Sequence, residues 1–131
     1  MSPAANRRRA ARGAVDVEAY LERCSGDEGL TDNLADNEAA QLLAWLRASA
    51  KQRLTTARTP AEADGIVAAL RSRARDVGAL IAARCYNEDP KAAAVAWSAL
   101  QPPAGKLDDL PADNASAALR QVLAWEDARH A

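Results

Sequence analysis

TPAEADGIVAALRSRARDVGALIAARCY, residues 59–86, decides the fold. Within it Ala63, Val67, Leu70, Ala74, Val77 and Ile81 recur at alternating steps of four and three, which places them in one apolar stripe along one helix. Its start is marked three times over. Thr59 can cap, Pro60 gives up an N–H that has no partner in the first turn anyway, and Glu62 stands where a capping-box acid reaches back. A helix over 60–86 is roughly 40 Å long at 1.5 Å per residue. So long a rod in a chain of 131 residues obliges the remaining segments to pack along it.

Working outward, the same periodicity predicts four further helices. Asp16 caps the first, about 17–24, with Val17, Tyr20, Leu21 and Cys24 on one face, and Ser25-Gly26 stops it. The second, about 37–55, turns Ala39, Leu42, Leu43, Leu46, Ala50 and Leu54 inward. Asp89-Pro90 repeats the cap-plus-proline start for a helix over 90–100 with Ala93, Ala96, Trp97 and Leu100 inside. After a connection at 101–112, with a turn at Leu107–Leu110, a last helix over about 113–128 takes Asp113 as cap and buries Ala115, Ala118, Leu119, Val122 and Leu123. Gly65 and Gly78 inside the long helix weaken it, and close approach of a neighbouring helix is the expected reason for them. No run alternates as a strand would.

The expected architecture is all-α: a mainly antiparallel bundle of four to five helices around a central helix at about 60–86. Residues 15–131 read as one domain, preceded by a mobile basic arm at 1–14. Hydrophobic residues make up 49% of the chain, Phe is absent and Met occurs once, so the core is expected to be thin and alanine-rich. The sequences 41–45 and 121–125 resemble each other, but their flanks do not, and a duplication is not inferred.

Charge excludes little. The net charge of −1 creates no overall field for nucleic acid or an anionic membrane, and no apolar run is long enough to span a bilayer. Cys24 and Cys85 fall on apolar helical positions and read as buried thiols. The basic start is not followed by the apolar stretch of a secretory signal, which makes the cytoplasm the expected location.

Catalytic and cofactor chemistry finds no carriers. His130 is the only histidine and there is no CxxC, so a Cys/His zinc site lacks ligands. No glycine-rich phosphate loop and no ExxH pair occurs. The acidic loop before the second helix resembles a degenerate EF-hand loop, with Asp27 and Glu38 at the first and twelfth ligand positions. Gly29 and Asp32 stand where an acid and the turn glycine belong, so a solvated acidic loop that complements the next helix dipole is the expectation, with no metal or cofactor.

Two surfaces remain. Trp45 and Trp125 lie off the centres of their apolar stripes, and exposed tryptophan anchors protein partners, so these two are the expected contacts of a non-enzymatic adaptor or small subunit that binds a protein or its own copy. The alternative is a subunit that holds a nucleic-acid backbone through Arg7, Arg8, Arg9 and Arg12 with Arg47, Lys51, Arg53 and Arg58, since neutralising phosphates needs such a cluster. Arg71 and Arg75 add a further basic face on the long helix. A third alternative, an enzyme built from dispersed carboxylates, has no motif to support it.

Overall fold

A computed structural model of the chain describes residues 15–26, 29–100 and 105–130. The basic arm and the first ligand position of the EF-hand-like loop, Asp27, lie outside the described residues. The fold is all-α, with no strand among the described residues. Among the described residues five α-helices follow one another: α1 (Val17–Cys24), α2 (Asp36–Leu54), α3 (Pro60–Ile81), α4 (Pro90–Leu100) and α5 (Ala115–Arg129). A π-helical turn (Ala82–Tyr86) continues α3, and a 3-10 turn (Leu107–Asp109) precedes α5.

Local chemistry accounts for most boundaries. Asp16 accepts from the Ala19 N–H and caps α1. Thr59 Oγ1 accepts from the Glu62 N–H, while the Glu62 carboxylate takes the N–H of Arg58 one residue ahead of the cap, so the box closes on a different donor from the expected one. Asp89 accepts from both Lys91 and Ala92 N–H at the start of α4. The cap of α5 is Asn114, whose side chain accepts from the Ala117 N–H, and not Asp113. Both residues can cap, and the helix begins one step later than the periodicity suggests.

Two compact units emerge. The first comprises residues 15–26 and 46–71, with a core of Leu21, Cys24, Leu46, Ala50, Leu54, Ala63, Val67 and Leu70. The second comprises residues 29–45, 72–100 and 105–130; its core includes Leu42, Ala74, Val77, Leu80, Ile81, Ala93, Leu100, Leu119 and Val122. All six residues of the long stripe are buried, from Ala63 to Ile81.

The two helix glycines have different causes. A Cβ on Gly78 would come 3.1 Å from the Leu30 carbonyl oxygen and 3.8 Å from Leu42, so backbone from the loop before α2 fills the space a side chain would need. Gly65 faces nothing within 4 Å, and the expected close neighbour is absent there. Gly65→Ala is therefore expected to stabilise the chain by up to about 1 kcal/mol, read as a raised urea midpoint; an unchanged or lowered midpoint would contradict an open helical site.

Candidate functional site

Several of the basic residues are held by the fold. In the first unit Arg71 Nη1 donates to the carbonyls of Arg23, Cys24 and Gly26 at 2.9, 3.1 and 2.8 Å, which satisfies the C-terminal end of α1. In the second unit Arg73 Nη1 donates to Ala99 and Leu100 carbonyls, both at 3.0 Å, at the end of α4. Arg129 donates to the same Leu100 carbonyl. Of the residues proposed for a phosphate backbone, Arg47 lies 3.8 Å from Glu18 and Arg53 is half-buried, while Lys51 and Arg58 are exposed. The helix-end carbonyls thus claim Arg71 and Arg73 before any external ligand can.

Between Arg73 and Arg129 sits the feature that sequence reading missed. Glu126 is 1% exposed, yet it is a carboxylate. Arg73 Nε lies 3.4 Å from one of its oxygens, Arg129 3.6 Å from the other, and His130 Nε2 3.9 Å away. One buried carboxyl group therefore lies within ion-pair distance of the two guanidiniums that reach the carbonyl ending α4. The signal was present: Glu126 follows Leu119, Val122 and Leu123 by seven, four and three residues, which puts it on the buried face of α5.

The tryptophans correct the expected contact surface. Trp45 is 8% exposed, and its indole N–H donates to Asp127 at 2.7 Å, so the residue expected at a flank is packed inside the second unit. Trp125 is half-buried and meets Trp97 edge to face, with ring centroids 5.1 Å apart. Gly105, at φ +92°, also lies against that indole; a Cβ there would come 2.3 Å from the ring. Helical angle misplaced Trp45 because the buried face of α2 is wider than its apolar stripe, and an indole can enter a core once its N–H finds an acceptor.

Glu38 is the second buried acid, 5% exposed in the first turn of α2. Ser116 donates to one of its oxygens at 3.1 Å, and Asn37 donates to Ser116 at 3.0 Å, which ties the starts of α2 and α5 together. The place of Glu38 at the end of the EF-hand-like loop is thus taken by a hydrogen bond to α5, and no metal-holding group of His, Cys, Asp and Glu is found among the described residues. Burial raises the Tyr86 phenol, and Glu38 raises it further. Both cysteines are free thiols, each raised by burial and each partly opposed by a nearby arginine: Arg71 for Cys24, Arg84 for Cys85. A raised thiol is a poor nucleophile at neutral pH.

The π-helical turn borders a concavity. Asn87 N–H donates to Ala82 and Asp89 N–H to Ala83, and between them Glu88 is held at φ +50°, a conformation rare for a residue with a side chain. Next to this turn opens a cleft of about 270 Å³. Ala83, Pro90, Ala93 and Ala112 line it with apolar surface; Arg84, Glu88 and Asp89 supply its charge. On the same two elements stand Tyr86, 43% exposed, and Val95, 70% exposed, the exposed large hydrophobic residues among those described. No helix of the described residues is long and apolar enough to cross a membrane. Comparison with protein-family models, curated proteins and solved structures returns no match for this chain.

Proposed function

We propose that the chain is a non-enzymatic helical interaction protein, an adaptor or small subunit, that meets a protein partner or its own copy through the outer face of α4. The observation that supports this reading is the exposure of Val95 and Tyr86 on adjoining elements. Ala92, Ala94, Ser98 and Ala99 are exposed beside Val95, and after Lys91 the chain carries no charge until Lys106. An uncharged face with a protruding aliphatic side chain loses little on dehydration and gains the apolar area it covers. This surface replaces Trp45, which burial removes from contact.

Val95→Glu tests the proposal, because an exposed position tolerates the change without loss of fold. Tagged full-length protein at native expression level is expected to retain a stoichiometric companion, or to sediment as a dimer when purified. The V95E variant is expected to lose that companion or dissociate at an unchanged melting temperature. A monomer that brings down no stoichiometric companion, or a companion held equally by V95E, overturns the reading.

A further inference from the structure

The cleft beside the π-helical turn carries opposite charges that do not pair with one another. Arg84 lines it together with Glu88 and Asp89, and none of the ion pairs among the described residues joins them. Arg84 has a partner elsewhere: its Nη2 donates to the Leu110 carbonyl at 3.4 Å. Asp89 is committed too, since one of its oxygens already accepts the Lys91 and Ala92 N–H groups. Glu88 has its backbone fixed in the left-handed region by hydrogen bonds on either side of it. Arg84 and Glu88 therefore line one small concavity without an ion pair between them, in company with Ala83, Pro90, Ala93 and Ala112.

A ligand that satisfies both walls must carry both charges, and an open cleft of about 270 Å³, slightly below the usual range for sites that take larger organic molecules, suits a small one. We propose that this cleft binds a small zwitterion, a free α-amino acid with a short aliphatic side chain. Its carboxylate meets the Arg84 guanidinium, whose planar fork suits two oxygens. Its ammonium meets Glu88, and its side chain lies on Ala83, Ala93 and Ala112. The site uses other side chains of α4 and the π turn than the proposed contact face, so the two proposals are tested separately.

Calorimetry and thermal shift on the full chain, with L-alanine, L-valine and L-leucine as probes, test it. At least one of the three is expected to release or absorb heat and raise the melting temperature at millimolar concentration. N-acetyl-L-valine lacks the ammonium and L-valinamide lacks the carboxylate; each is expected to bind roughly tenfold or more weakly than valine, as loss of one charge-assisted contact implies. Glu88→Gln at an exposed position is expected to weaken binding by a similar factor while the chain stays folded, and Ala112→Trp to block the cleft. Arg84→Gln gives the matching loss on the carboxylate side. No response to any of the three amino acids at 10 mM, roughly the weak limit of specific small-ligand binding, overturns the proposal. So does equal binding of the acetylated and amidated analogues, or full binding by both the E88Q and A112W variants.

Discussion

Gly105→Ala is expected to lower stability by about 3 kcal/mol, the sum of a left-handed backbone that a side chain resists and a steric overlap with a packed ring. The Cβ would stand 2.3 Å from one carbon of the Trp125 ring and 2.5 Å from another, distances that no side-chain breathing absorbs. Either the indole leaves its edge-to-face seat on Trp97 or the loop withdraws from α5. A fall in melting temperature of roughly 10 °C follows from the usual entropy of unfolding for a chain of this length, together with loss of near-ultraviolet circular dichroism from the tryptophan pair. A variant that keeps both the melting temperature and that signal would show that the loop does not rest on the ring.

Glu126→Gln removes one negative charge and leaves two cations beside it. Breaking a buried ion pair from one side costs about 3–5 kcal/mol, and the lower end applies because the Arg73 and Arg129 side chains are 24% and 27% exposed and keep some water. The expected result is an unfolding free energy lowered by about 3 kcal/mol, read as a lower urea midpoint at unchanged slope. The second half of the test is a double-mutant cycle with Arg73→Met. Once the uncompensated guanidinium is gone, the loss in the double variant should fall well short of the sum of the two single losses. Additive losses would mean that Glu126 and Arg73 are neighbours without being coupled.

These two sites show where sequence was legible and where it was not. The helices could be read because their signals are local: the four-three spacing from Ala63 to Ile81, the Asp16 and Asp89 caps, the prolines at 60 and 90. Each depends on residues within a turn or two. Glu126 stood on the right face by periodicity, but a carboxylate inside a core is accepted only when distant partners neutralise it, and Arg73 is 53 positions earlier in the chain. The arginines of α3 looked like a charged surface for the same reason. Nothing within a turn of Arg71 or Arg73 says that a helix end will arrive to receive their N–H groups. Gly65 and Gly78 are indistinguishable as letters, and only the Leu30 backbone above one of them tells them apart. The cleft was invisible because a π turn borders it, and a widened turn leaves no periodic trace in a five-residue window.

That widened turn has one more effect. A π-helical turn carries about one residue more than an α-helical turn, and each residue of an α-helix advances the chain by about 100°. Ala82–Tyr86 therefore acts as a phase shifter between two rods: it sets the azimuth at which the backbone leaves α3, and with it the heading on which Glu88, Asp89 and α4 set out. Excising a single residue there would let the coil tighten into ordinary α-helix, and because the wide turn takes up its extra residue within one revolution, the downstream chain would turn by much less than the roughly 100° of one α-helical residue.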